Sequence, residues 1–323
     1  LRRPMQKDSA HCQALSHKPR GRDRIVASST LPICEICGGD TKLWGEKAGF
    51  RVLRCSFCGY GFVYPRPSSQ ELARFYGQED STPAQSAKMH RYRAEIPPWK
   101  EPEQIMNKLR AMGLDKGRLL DVGAGFGWSS EYFNRHGFAV TSLEPNPLAA
   151  RKIEERTGLT VIRDFFETWI PEKSLIGMFD VIIMMQVIEH VLYPQLLFEK
   201  SRDLLRQGGV LVISTPNFDS LLIKLLKARE GHICPPEHLN FFTLKSLRLL
   251  GSRYGYRFIQ GYTRSNLTRH LAVEGAKDYL RDRGAILAET TGTVAWMALS
   301  IADKLRMGRY LYGYFLHEHP SAA

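Results

Sequence analysis

The sequence predicts an α/β protein whose main body is a doubly wound, largely parallel sheet with helices on both faces, preceded by a small cysteine-bound module. Three observations carry this. From residue 101 onward, short apolar runs alternate with helix-length amphipathic segments, the pattern of successive βα units. The first of those runs, RLLDV, is followed at once by a glycine-rich turn. Ahead of it, four of the six cysteines fall into two C-x2-C pairs.

Composition agrees. With 323 residues, 43% hydrophobic and 24% charged, the chain has material for one large domain and a small one. No uncharged apolar run reaches the ~18 residues of a membrane span; the best candidate, between Glu289 and Asp303, has 13 and is Thr-rich. The opening LRRPMQKDSAHC is basic but has no apolar stretch behind it, so it does not read as a secretory signal, and the expected location is the cytoplasm. The net charge of +12 raises the question of nucleic acid as partner, but residues 1–33 hold seven basic and two acidic side chains. That segment reads as a disordered basic tail, and the mild excess elsewhere reads as solvated surface.

The paired cysteines are Cys34, Cys37, Cys55 and Cys58, with 17 residues between the pairs, spacing suited to a tetrahedral four-thiolate zinc site. Gly38 and Gly59 follow the second cysteine of each pair, where the backbone must fold around an ion. Two disulfides would need an oxidising compartment. Four protein thiolates leave no open position, so the expected zinc is structural, holding a ribbon too small to have its own core. Cys12 and Cys234 are expected as free thiols. The stretch GYGFVYPRPSSQELARFYG predicts a strand ending at Pro65 and a short helix from Ser68 or Ser69, which completes a zinc-ribbon module over 34–76. Residues 77–100 are polar and proline-rich and read as a connector or lid.

Within 101–323 the elements follow in order: helix 101–112, strand RLLDV, helix 126–136, strand FAVTSLE, helix 146–157, strand LTVIR, strand FDVIIMM, helix 194–206 and strand VLVIST. Further on come helix 220–230, helix 243–254, strand YRFIQGY, a helical insert within 264–305 and a last strand, RYLYGYF.

The turn Asp121-Val-Gly-Ala-Gly-Phe-Gly127 opens a helix directly after the first strand. Glycines there allow a sharp turn and let a ligand rest on bare backbone at a helix N-terminus. Its G-x-G-x-G spacing differs from the dinucleotide pattern G-x-G-x-x-G, and Asp121 would repel phosphate but attract an ammonium. Glu144, at the end of the second strand, can accept both hydroxyls of a ribose. Asp164, at the end of the third, can accept from an adenine amino group while Phe165 lies along the ring. Together these describe a pocket for an adenosine that carries an amino acid.

Asp121 to Gly127, Glu144, Asp164, the block FDVIIMMQVIEHV and the strand GGVLVISTPN resemble a class I S-adenosylmethionine-dependent methyltransferase over roughly residues 101–263. The segments CEICGG, CSFCGYGFVYPRPSSQELARFY and EHLNFFTLKSLRLLGSRYGY are similar to zinc-ribbon methyltransferases of sugar, glycan and secondary-metabolite biosynthesis. The resemblance implies a Rossmann-like seven-stranded, mostly parallel sheet of order 3-2-1-4-5-7-6 with strand seven antiparallel. It puts Asp121 near the methionine amino group, Gly123 and Gly125 against the cofactor, Glu144 on ribose and Asp164 on adenine. Ala124, Gly127, Pro145, Phe165 and Gln186 complete the implied cofactor set.

Methyl transfer to a hydroxyl or carbon acid needs an aligned nucleophile and a base. Candidates stand after the fourth strand: Glu189 and His190, the imidazole titrating near neutrality, with packing against the next helix as the alternative for His190. Similar EVIEHV segments in quinone O-methyltransferases can bring a metal to the substrate; Gln186 replaces the first acid here. A second candidate, His238, closes His232-Ile-Cys-Pro-Pro-Glu-His238 ahead of Phe241 and Phe242. The helix SLLIKLLKARE pairs leucines with Lys224, Lys227 and Arg229 and reads as a packed surface helix, with peripheral membrane contact as the second reading.

The expected function is methyl transfer to oxygen or carbon of a small molecule, such as a sugar, glycan precursor or related metabolite. An RNA methyltransferase carrying a zinc module is the alternative. Residues 34–66 hold five basic and three acidic side chains without interleaved aromatics, which argues against nucleic acid. A non-catalytic binding protein that keeps the fold is a third reading. Acceptor identity, the choice of base and oligomeric state are open at this level.

Overall fold

The computed structural model describes residues 31–68, 70–72, 100–266, 272–273 and 285–318. Nearly all of the expected basic tail, all but the end of the connector, and much of the insert lie outside the described residues.

Seven strands form one sheet. They are β4 (Gly117–Val122), β5 (Phe138–Leu143), β6 (Val161–Ile162), β7 (Phe179–Met185), β8 (Leu205–Pro216), β10 (Tyr256–Arg264) and β11 (Tyr310–His317). Their spatial order is β6-β5-β4-β7-β8-β11-β10, the expected 3-2-1-4-5-7-6. The pairs β4/β5, β4/β7, β5/β6 and β7/β8 are parallel. Parallel neighbours need crossovers, and α2 (Trp128–Arg135), α3 (Pro147–Thr157) and α4 (Pro194–Leu204) supply them. The chain steps outward from β4 through β5 to β6, then returns to the other side of β4 as β7. With right-handed crossovers the helices fall on both faces, and the crevice at the carboxyl ends of β4 and β7 is the switch point where such sheets bind ligands. Leu119, Leu120, Ile182, Ile183 and Val212 are fully buried, as a sheet covered on both faces requires.

A second sheet has the order β1-β2-β3-β9: β1 (Thr41–Lys47), β2 (Phe50–Cys55), β3 (Gly61–Tyr64) and β9 (Asn240–Phe241). The expected division runs linearly, 34–76 and then 101–323, whereas the compact units interleave. One unit combines the chain up to Arg66 with Thr215–Leu249 and Gly261–Tyr312; the other combines Pro67–Ser214, Leu250–Gln260 and Gly313–Ala323.

Local chemistry explains the element ends. Asn146 caps α3 by accepting from Leu148 N and Ala149 N at 3.0 and 3.1 Å, and Pro147 opens it. Ser68 and Glu71 form a reciprocal capping box, Glu71 N donating to Ser68 Oγ at 3.2 Å and Ser68 N to Glu71 Oε2 at 2.7 Å. The expected helix 126–136 begins only at Trp128, because Gly127 is left-handed (φ 76°). The expected helix 220–230 is instead α5 (Leu221–Leu226) followed by a 3₁₀ turn, since Lys227 takes φ 53° and ends the helix. Among the described residues, α1 is Lys100–Ala111, α6 Leu244–Arg253 and α7 Ala285–Lys304. None of these helices is long and apolar enough to cross a membrane.

Candidate active site

The turn after β4 is held by its own backbone. Gly123 N and Ala124 N both donate to Leu143 O, at 2.8 and 3.1 Å. Gly123, Gly125 and Gly127 are all left-handed, a conformation other residues adopt only with strain. They differ in what a side chain would meet. A Cβ on Gly123 would sit 2.6 Å from Val187 Cγ2 and one on Gly127 2.8 Å from Ile153 Cγ1, while Gly125 faces open space. Only the central glycine leaves room beside the backbone, the kind of cradle a bound molecule uses.

Two carboxylates flank this turn. Glu144 is 7% exposed; its Oε2 accepts from Gly125 N at 2.8 Å and its Oε1 from Asn146 N at 2.9 Å, across Pro145. Burial raises its pKa above the usual carboxylate range, opposed by those two backbone donors. Asp121 is buried, and Ser130 Oγ donates to its Oδ2 at 2.6 Å while accepting from Ser142 Oγ at 2.8 Å. Serines on α2 and β5 thereby orient the acid at the end of β4.

At the third strand end, Asp164 Oδ1 accepts from Phe165 N at 2.7 Å and from Thr168 Oγ1 at 2.9 Å. Phe165 is 56% exposed whereas Phe166 and Trp169 are buried. The turn thus presents one aromatic ring outward beside a fixed carboxylate.

Gln186, directly after β7, is left-handed (φ 60°). Its N donates to Ser214 O at 2.9 Å and its Nε2 to Ser214 Oγ at 2.6 Å, so β8 holds this strained residue in place. The chain then enters the turn that carries Glu189, buried, and His190, half-buried. His190 N donates to Val187 O at 3.0 Å. Every expected cofactor residue, with Glu189 and His190, belongs to one compact unit.

His238 belongs to the other unit, and the sequence reading missed its surroundings. Its Nδ1 lies 2.7 Å from His232 O; a carbonyl there can only accept, so Nδ1 carries the proton and Nε2 is the basic nitrogen. The His232 ring lies parallel to it, centroids 6.2 Å apart. His232 in turn meets Glu230, Oε1 at 3.3 Å from Nδ1, and Tyr310 Oη at 3.2 Å from Nε2. Burial lowers the pKa of His232, keeping the ring neutral at pH 7. Burial works to raise Glu230, but the His232 hydrogen bond and Arg309 outweigh it and hold the carboxylate below its usual value. No sequence signal links residues 230 and 310, which only the fold brings together.

In the same unit the four paired thiols converge. Cys34 Sγ and Cys58 Sγ lie 3.6 Å apart, Cys37 Sγ and Cys55 Sγ 3.4 Å apart, and all four lie within 4.8 Å of one another. Tetrahedral zinc with ~2.3 Å bonds would separate its sulfurs by ~3.8 Å, so the donor set fits. Phe57 N and Cys58 N both donate to Cys55 Sγ at 3.4 Å. Cys34 is held down at about 5, first by its hydrogen bond with Cys58, while Cys58 is pushed up. Gly38 and Gly59 are both left-handed, closing the two turns as expected.

The thiol hairpin is joined to the segment bearing His238. β3 pairs antiparallel with β9, Phe62 facing Asn240, and Val63 N donates to Leu239 O at 3.0 Å. Thr243 Oγ1 donates to Cys58 O at 2.9 Å and Lys245 Nζ to Phe57 O at 2.6 Å. The ring of Phe218 packs against Gly61, whose missing side chain is what admits it.

Comparison with known proteins agrees with this geometry. Residues 89–260 match a family described as methyltransferase domain. A ubiquinone biosynthesis O-methyltransferase of Actinobacillus pleuropneumoniae is 32% identical over 189 residues, covering 49% of this chain and 80% of that protein. The enzyme of the same name from Cereibacter sphaeroides is 38% identical over 104 residues, 31% of this chain and only 41% of its own length. Among solved structures, a 1,6-didemethyltoxoflavin-N1-methyltransferase of Burkholderia thailandensis with bound S-adenosylhomocysteine shares the fold at TM-score 0.52 and 13% identity, covering 86% of this chain and all of that one. With the seven-stranded sheet and its glycine turn, these matches show that the chain belongs to the methyltransferase-domain family, and it has the fold of class I S-adenosylmethionine-dependent methyltransferases.

Proposed function

We propose that the enzyme methylates an oxygen or carbon of a small-molecule acceptor, a sugar, glycan precursor or related metabolite, in the cytoplasm. The observation that carries this reading is the pairing of β3 with β9 two residues from His238. A thiol module woven into the segment that bears a candidate base serves as scaffold for a small acceptor site, not as a detachable reader of RNA. The relatives named for ubiquinone biosynthesis favour oxygen as the acceptor atom.

When bound, S-adenosylmethionine supplies an electrophilic methyl group on a sulfonium centre. The chain's residues have separate tasks in this reading. Gly123, Ala124, Gly125 and Gly127 offer bare backbone, and Asp121 faces the amino group. Glu144, with Pro145, receives the ribose hydroxyls, Asp164 and Phe165 hold adenine, and Gln186 shapes the crevice beside them. His238 or His190 takes the acceptor's proton, His238 at Nε2, with Glu189 as support. Cys34, Cys37, Cys55 and Cys58 hold a structural zinc ion.

The test is a transfer assay with methyl-labelled cofactor on nucleotide sugars, phenols and ribosomal RNA. Label in a small molecule is the expected result. Label in RNA, from a complex that weakens steeply with salt, would overturn the reading. In the same assay His190→Gln or His238→Gln lowers kcat by about 10²-fold or more with S-adenosylhomocysteine affinity unchanged. Full turnover in both variants would remove them as bases.

A further inference from the structure

Lys200, on the second turn of α4, makes contacts that the reading above does not use. Its ammonium donates to three backbone carbonyls, Phe166 O at 2.6 Å, Glu167 O at 2.9 Å and Trp169 O at 2.7 Å. An ammonium has three N–H donors and no acceptor, so all three are spent on one short stretch of chain. The same stretch presents the outward ring of Phe165 and is tied at its start to Asp164 through Phe165 N and Thr168 Oγ1. Trp169 N closes it by donating to Phe165 O at 2.8 Å. Few strand hydrogen bonds reach this turn, because β6 is only two residues long.

We propose that Lys200 is a positioning residue for recognition of the adenine base: by gathering three carbonyls it fixes the 165–169 turn, and with it the directions of Asp164 and Phe165. This rests on the assignment of Asp164 and Phe165 to adenine given above. Burial lowers the pKa of Lys200, and the nearby carboxylates of Glu167 and Asp164 oppose that shift and favour the charged ammonium. A methylene chain of the same length without donors would leave the three carbonyls unmatched, and the turn would find other orientations.

The experiment compares binding of S-adenosylhomocysteine with that of its analogue carrying unsubstituted purine, which lacks the 6-amino group, by calorimetry. Wild type is expected to prefer the adenine compound by about tenfold. Lys200→Met should lose most of that preference: a displaced Phe165 weakens both compounds alike, while a displaced Asp164 weakens the adenine compound further and so collapses the ratio. Lys200→Gln, which keeps an NH2 donor group, should fall between them and provides the reading should Lys200→Met not fold. A lysine that merely stabilised the fold would weaken both ligands together and leave the ratio intact, and that result overturns the proposal. Equal binding of the two compounds by wild type would instead remove Asp164 as the adenine reader, and the role of Lys200 with it.

Discussion

Glu144 shows how one buried carboxylate couples titration to ligand affinity. Its two backbone donors, Gly125 N and Asn146 N, favour the ionised form, but burial prevails and its pKa is raised. Two opposite consequences follow. For the fold, an acid whose folded pKa exceeds its unfolded value near 4.3 binds more protons when folded. Its contribution to stability therefore grows on acidification through that interval and is lost as pH rises. For a ribose whose hydroxyls donate to the carboxylate the sign reverses: the ionised form is needed, so affinity falls as pH drops through the raised pKa, earlier than for an ordinary glutamate. Calorimetric titration of S-adenosylhomocysteine from pH 7.5 downward should show this decline beginning above the ordinary carboxylate range. Glu144→Gln should bind about tenfold more weakly and with a flat profile. A Glu144→Gln curve that still declines in parallel with wild type would take Glu144 out of the ribose role.

At the level of elements, the sheet strands and most of the helices were legible in the sequence because each carries one dominant local signal. FDVIIMM is apolar except for Asp180 and emerges as Phe179–Met185 without a shift, since a strand buried on both faces needs no alternation. Helix starts were legible where a capping residue stands, as at Asn146 and Ser68. What escaped depended on contacts distant in sequence. The left-handed Gln186 is fixed by Ser214, 28 residues later, and no glycine announces it. The short α5 ends at Lys227, whose positive φ no glycine announces. Within the glycine turn all three glycines share the same sign of φ, yet two are dictated by Val187 and Ile153 and only Gly125 by the space beside it. That distinction is a property of the packing around the turn, and a one-dimensional motif cannot carry it.

Across the whole molecule, order along the chain and order in space diverge, which is why the cysteine spacing was readable and its structural role was not. The pattern C-x2-C-x17-C-x2-C announces four converging thiolates by itself. That their hairpin takes a fourth strand from Asn240–Phe241 follows from a pairing across about 180 residues of chain, which spacing does not record. The consequence is a division of labour that can be measured. All proposed cofactor residues lie in the unit of β4 to β7, whereas the thiols and His238 lie in the other. A ribbon this small depends on its metal for folding, so stripping the ion should loosen the His238 segment while the glycine turn and Glu144 persist. Protein purified with its metal should release about one zinc per chain to a chromogenic chelator. The stripped protein, and a Cys55→Ser variant, should lose methyl transfer while S-adenosylhomocysteine affinity stays within about twofold of wild type. Re-addition of zinc should restore turnover only to the stripped wild type. Undiminished transfer without metal would show that the thiol cluster does not support the acceptor side. A parallel loss of cofactor binding would show that the two units do not divide the work in this way.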